Sequence, residues 1–262
     1  METVSKIQNP KSKIVWLFVH GAGASRDFWT GQRAAFPGGQ AWDLPGHGAV
    51  YRTHGAPPPA PTPPLPTITI PAYADWVAEQ VAAAGWTEVV LVGHSLGGAI
   101  VQALGLRRPA WLRGLVLAST GPRLRVAPAL LSLLESDYPA AVEQLLAWYF
   151  APGISSYRRE GVRRQLLRTD PAVTLGDFRA CDAFDARDVL QAGGITAPTL
   201  VIASPDDQMT PPKQSTFLAG AIPGATLAWI PGAGHLTPLE QPDAWNAAVL
   251  AWATSAGMRN EE

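Results

Sequence analysis

Five short apolar runs punctuate the chain, and each ends abruptly at a small or polar residue. Residues 14–19 stop at His20-Gly21-Ala22-Gly23, 89–92 at Gly93, 115–118 at Ser119, 199–203 at Ser204 and 226–230 at Pro231. Continuous, β-branched runs of this length read as strands buried on both faces, as in parallel sheets. Segments of helical character lie between them. Ser25 can cap a helix to about Ala35, and Pro71 suits the first turn of one through Ala84 that stops at Gly85. Others run over 97–107, from Pro211 to about Ala221, and from Gln241 or Pro242 to about Ala253. The alternation predicts an α/β fold with a mostly parallel sheet flanked by helices. Ligands bind beyond the carboxyl ends of such strands.

Two stretches interrupt the alternation. Residues 56–66 hold seven prolines in eleven positions, a stiff surface loop. Residues 122–194 contain no good central-strand candidate and read as several helices, inserted after the third of the five runs. They are expected to form a helical cap over a core made of 1–121 and 195–262.

Composition narrows the class. Of 262 residues, 47% are hydrophobic and 16% charged, and the formal net charge is −1, so no global field favours nucleic acid or an anionic membrane. A lone cysteine, Cys181, excludes an internal disulfide and is expected to be a small core residue. No run suits a membrane span, and residues 1–13 lack a secretory pattern. A cytoplasmic enzyme acting on a small molecule, without metal or cofactor, is expected; oligomeric state is not legible.

Gly93-His94-Ser95-Leu96-Gly97 fits G-x-S-x-G, with a buried strand before it and a helix after it. A sharp turn there holds the serine in a strained conformation, its hydroxyl above the sheet at the positive end of the helix. Ser95 is therefore the candidate nucleophile. The Leu96 amide has no partner within the helix. The glycine-rich loop after the first run brings the Ala22 amide close, so Ala22 and Leu96 form a candidate oxyanion hole. A phosphate site is the alternative for that loop, but the P-loop lysine and G-x-G-x-x-G are both missing. Among the histidines, His235 sits in a glycine-bounded turn after a strand and is the candidate base. His20 reads as a loop tether, His47 and His54 as structural or solvated, and His94 as turned away from the nucleophile. Asp206 and Asp207 are adjacent and only one can orient a base. Asp43 reads as organiser of the Pro45-Gly46 turn.

In their order and spacing, these pieces resemble the α/β-hydrolase superfamily over nearly the whole chain. They are His20-Gly21 with Trp29, Asp43-Leu44-Pro45-Gly46-His47-Gly48, Gly93 to Gly98, Pro198 to Ile202, Asp207-Gln208-Met209-Thr210-Pro211 and Pro231-Gly232-Ala233-Gly234-His235. The resemblance implies a Ser95–Asp207–His235 triad and so favours Asp207 over Asp206. It implies hydrolysis through an acyl-enzyme, a carboxylesterase first, with lactonase, thioesterase and carbon–carbon hydrolase on the same triad as alternatives. A non-enzymatic receptor on the scaffold is the alternative of another class. Many members begin with a hairpin; only about a dozen residues precede the first run here, so that hairpin is expected to be shortened or absent.

The cap is expected to choose the substrate. Five arginines between 158 and 168 read as a solvated face, since nine arginines balance nine acids over 122–194. Leucines at 130–134 and 145–146 with Trp148, Tyr149 and Phe150 supply apolar surface. Of this set Trp148 and Phe150, with Phe184, Met209 and Leu236, are expected to line a pocket for small or medium acyl chains.

Overall fold

The computed structural model describes residues 14–48 and 64–258. The apolar runs form β1 (Val15–Val19), β3 (Val89–His94), β4 (Leu112–Ala118), β5 (Thr199–Ala203) and β6 (Thr226–Trp229). A sixth strand, β2 (Gly39–Ala41), was not expected. Three residues that include a glycine and a glutamine make no apolar run, and pairing with β1 alone defines the strand. The order is β2-β1-β3-β4-β5-β6 and every pairing is parallel. Among the described residues no strand precedes β1. Residues 1–13, His54 and most of the proline-rich stretch lie outside those described.

The helices begin where local chemistry says they should. The Ser25 hydroxyl accepts from the Asp27 amide and opens a 3-10 turn (Arg26–Trp29) leading into α1 (Thr30–Ala35). The Thr69 hydroxyl caps α2 (Ile70–Ala83), with Pro71 in its first turn and Gly85 left-handed beyond its end. Helix α3 (Leu96–Arg107) follows β3 directly.

Five helices fill the segment between β4 and β5: α4 (Pro128–Ser136), α5 (Tyr138–Tyr149), α6 (Ser156–Leu166), α7 (Pro171–Ala183) and α8 (Arg187–Gln191). The insertion follows the fourth strand along the chain, because β2 adds one to the count. Its ends are clipped together by an Arg123–Asp185 bridge and by the Ala186 amide donating to the Pro122 carbonyl at 2.8 Å. Helices α9 (Pro212–Ala221), α10 (Thr237–Glu240) and α11 (Pro242–Ser255) complete the core. No helix among the described residues is long and apolar enough to cross a membrane.

The turn between β3 and α3 depends on missing side chains. A Cβ on Gly97 would overlap the Val19 carbonyl and lie 2.7 Å from the His20 carbonyl oxygen. One on Gly93 would overlap the Gly97 carbonyl. Gly161, within α6, has nothing within 4 Å of a Cβ. Gly97→Ala is therefore expected to cost about 3 kcal/mol or more in denaturant unfolding, since backbone must move. Gly161→Ala should stabilise by up to about 1 kcal/mol through helix propensity.

Candidate active site

Ser95 sits between β3 and α3 at φ 53°, ψ −116°, a left-handed conformation that a side-chain-bearing residue adopts only under constraint. Its amide donates to the Ala118 carbonyl of β4 at 3.0 Å, and its carbonyl accepts from Gly98 N–H and from the Thr120 hydroxyl. The peptide is locked on both sides, leaving the hydroxyl at the mouth of the helix. Neither the Ala22 nor the Leu96 amide has a hydrogen-bond acceptor among the described residues.

Asp207 and His235 meet beyond the ends of β5 and β6. The His235 Nδ1–H donates to Asp207 Oδ2 at 2.9 Å and lies 3.1 Å from Oδ1, and both side chains are buried. The carboxylate also accepts from the Thr210 hydroxyl at 2.6 Å and from the amides of Met209 and Thr210. Burial opposes ionisation of Asp207. The charge and hydrogen bond of His235, with the Thr210 bonds, outweigh burial and hold it below the usual carboxylate range. Asp206 is exposed. With Nδ1 committed to Asp207, the Nε2 of His235 is the nitrogen left to act on a ligand.

The turn carrying His235 is tied down by groups to which the sequence reading gave no such role. Glu240 accepts from the amides of Gly234 (2.9 Å), Leu236 (3.1 Å) and Ala151 (2.8 Å). Tyr149, the last residue of α5, accepts the His235 amide at 2.7 Å and lays its ring against the imidazole, centroids 5.5 Å apart. The other described histidines have partners of their own. His94 donates Nε2–H to the His235 carbonyl at 2.9 Å; burial first, then repulsion from His235, lowers its pKa to about 3, so it stays neutral. His20 accepts the Leu44 amide at Nε2 (3.1 Å), and burial with the neighbouring His47 lowers its pKa to about 3. His47 is buried against Asp177 of α7. Asp43 accepts from the Arg26 amide at 2.8 Å rather than from the Pro45-Gly46 turn.

Two cavities meet at Ser95. The smaller, about 20 Å³, is lined by Ala22, Phe28, Ser95, Tyr149, Val162, Leu166, His235 and Leu236 among others. The larger, about 280 Å³, is lined by Leu124, Val126, Phe178, Cys181 and Met209, and also by Arg123, Arg125 and Lys213. Of the expected pocket residues, Leu236 lines the first and Met209 the second, while Trp148, Phe150 and Phe184 line neither. Tyr149 ends α5 with its ring on His235; Trp148, one helical position earlier, is rotated from it by about 100°, and Phe150 lies past the helix end in extended backbone. Cys181 is buried but is also a wall of the larger cavity. The arginines of α6 bond to neighbours. Arg158 donates to the Leu239 and Glu240 carbonyls, Arg159 to Leu146, and Arg163 and Arg164 pair with Glu143 and Glu160. Among the described residues no cluster of three or more His, Cys, Asp or Glu is arranged to hold a metal.

Comparison with known proteins places this arrangement. A putative carbamate hydrolase RutD from Caulobacter sp. (strain K31) is 31% identical over 244 residues, covering 88% of this chain and 87% of that one. The polyketide synthase ThaQ of Burkholderia thailandensis is 32% identical over 203 residues, 72% of this chain; the match spans only 10% of the synthase. The solved structure of a thermophilic esterase superposes with a TM-score of 0.80 at 33% identity, covering 94% of this chain and 91% of that one. The family model described as the alpha/beta hydrolase family matches residues 16–248. The chain belongs to the alpha/beta hydrolase family, and it is a hydrolase.

Proposed function

We propose that the chain is a carboxylesterase-like serine hydrolase, with Ser95 as nucleophile, His235 as general base and acid, and Asp207 as the carboxylate that orients it. The observation that carries this reading is the buried 2.9 Å hydrogen bond between Asp207 and His235, with His235 and Ser95 facing one cavity. Ser95 Oγ attacks the ester carbonyl and His235 Nε2 takes its proton. The Ala22 and Leu96 N–H groups receive the oxyanion. His235 then protonates the leaving alcohol, and water, deprotonated by the same nitrogen, releases the acid. The insertion 122–194 acts as the lid over core segments 1–121 and 195–262.

The two cavities divide the substrate. The leaving oxygen needs the His235 proton, and His235 lines the smaller chamber, so that chamber takes the alcohol part. A space of about 20 Å³ admits little more than a water-sized group without rearrangement. The larger chamber, apolar on its walls, takes the acyl chain. Esters of short alcohols with medium acyl chains fit this division. The RutD relatives make a carbamate the second reading, on the same residues.

Ser95→Ala is expected to lower ester turnover by roughly 10³-fold or more, and a fluorophosphonate should label Ser95, located by peptide mass spectrometry. Turnover within tenfold of wild type would rule the scheme out. Asp207→Asn should lower kcat by about 10⁴-fold, whereas Asp206→Asn should leave it within about threefold, as for surface substitutions. The reverse order would reassign the acid. In pH-stat assays, lengthening the acyl chain from acetyl to hexanoyl should raise kcat/KM. Lengthening the alcohol from ethyl to butyl should lower it about tenfold or more, the scale of a pocket misfit of one or two methylenes. Equal tolerance at both ends would sink the division.

A further inference from the structure

Helix α7 of the insertion carries a buried carboxylate, Asp177, that the hydrolytic scheme does not use. It is bonded by three separate segments of the core. Oδ2 accepts the Gly23 amide at 2.9 Å and the His47 Nε2–H at 2.8 Å, and Oδ1 accepts the Tyr73 hydroxyl of α2 at 2.8 Å. The other face of Gly23 is held from the insertion as well: the Thr169 hydroxyl donates to the Gly23 carbonyl at 2.8 Å. Both polar backbone groups of Gly23 therefore belong to the insertion. Gly23 is left-handed, at φ 65°, and follows Ala22 directly. Two residues further on, the Ser25 hydroxyl accepts Gln165 Nε2–H at 2.7 Å, a third tie to the same loop.

The hydrogen bonds also define the charge of His47. Among the described residues its Nδ1 faces only the Leu44 and Pro45 carbonyls, at 3.3 and 3.2 Å, and its Nε2 only the Asp177 carboxylate. Every partner is an acceptor, so both nitrogens carry protons. Other titratable groups around the pair are His20, ring centroid 4.8 Å away and neutral, Tyr73, and Cys181 on the next turn of α7. Burial pulls the His47 pKa down, but the Asp177 charge, the Asp177 bond and the two carbonyls together raise it above its ordinary value. The pair is a closed ion pair with neither side chain exposed. One carboxylate oxygen can serve both Gly23 and His47 only while His47 donates to it.

We propose that Asp177, clamped by the His47 imidazolium, is a positioning residue that sets the Gly23 peptide and thereby aims the Ala22 amide at the oxyanion. Catalysis is then coupled to the seating of the insertion, because the hole is complete only with α7 docked. The proposal rests on the serine-hydrolase reading of Ser95 and Ala22. Its pH consequence follows from the sign of the His47 shift. The clamp is fully present below pH 6.5 and is lost as pH rises through the raised value. Above it, a neutral imidazole turns a lone pair toward an oxygen.

The test uses the full chain and an ethyl ester, with active sites counted by stoichiometric fluorophosphonate titration. Asp177→Asn keeps the shape but removes the charge. It should lower kcat per titrated site about 10- to 100-fold, part of the loss seen on deleting an oxyanion donor, with KM within threefold. Inhibition by a trifluoromethyl ketone, which places an oxyanion in the hole, should weaken in parallel. The alkaline fall of kcat expected of wild type should be absent. A structural role alone would reduce the number of titratable sites and leave kcat per site unchanged. Thr169→Val, which removes only the hydroxyl on Gly23, covers the case in which Asp177→Asn does not fold; it should lower kcat per site three- to tenfold. Values of kcat per site within twofold of wild type, in Asp177→Asn or, if that fails to fold, in Thr169→Val, would overturn the proposal while Ser95→Ala remains inactive. If Ser95→Ala stays active, the underlying reading fails instead, and this proposal with it.

Discussion

The end of β1 and the first turn of α3 touch through backbone alone. Gly97 lies so close to the Val19 and His20 carbonyls that a methyl group cannot be inserted. This contact puts the free amide of Leu96 beside the loop that carries Ala22, and it requires the strained conformation of Ser95 just before the helix. Strand order supplies the rest of the geometry. Because β1 and β3 are neighbours, both loops emerge at the same edge of the sheet, while β5 and β6 deliver Asp207 and His235 from the other side of β4. A parallel sheet with every carboxyl end on one side makes this convergence a consequence of the fold.

Around that contact the insertion is stitched to the core at two points, each next to a candidate site residue. One is Gly23, held by Asp177 and Thr169. The other is the His235 turn, held by Tyr149 and, through Glu240, by Ala151. Each knot buries a carboxylate that accepts three hydrogen bonds, so neither segment can shift without stranding polar groups in the interior. Helices of the insertion line both cavities and also bond to the loops of the core.

Much of the fold could be read from the chain because its signals are local. Buried central strands make continuous apolar runs, and caps and stops such as Thr69, Pro71 and Gly85 act within one turn. β2 escaped because its identity lies in pairing with β1, not in its own residues. In the candidate site, Ser95 and His235 were legible as turns after strands, Asp207 was preferred to Asp206 through the family resemblance, and structure brings Asp207 and His235 into contact. Tyr149 was missed as a cavity residue because the exact phase of a helix end is not encoded in composition; Trp148 and Phe150, its neighbours, line neither cavity. Asp177 and His47 are 130 residues apart, and no pattern along the chain marks them as a pair. One signal was available for Glu240: it is the first acid after the His235 turn, five residues on.

The central claim is that Ser95, His235 and the two amides converge on one reacting centre. A crystal structure of the enzyme inactivated by a small alkyl fluorophosphonate tests it most directly. The account predicts phosphorus bonded to Ser95 Oγ, with the phosphoryl oxygen accepting from both the Ala22 and Leu96 amides within about 3.1 Å, and His235 Nε2 facing the ester oxygen. A phosphoryl oxygen turned to solvent with both amides unengaged, or an adduct on another residue, would contradict it.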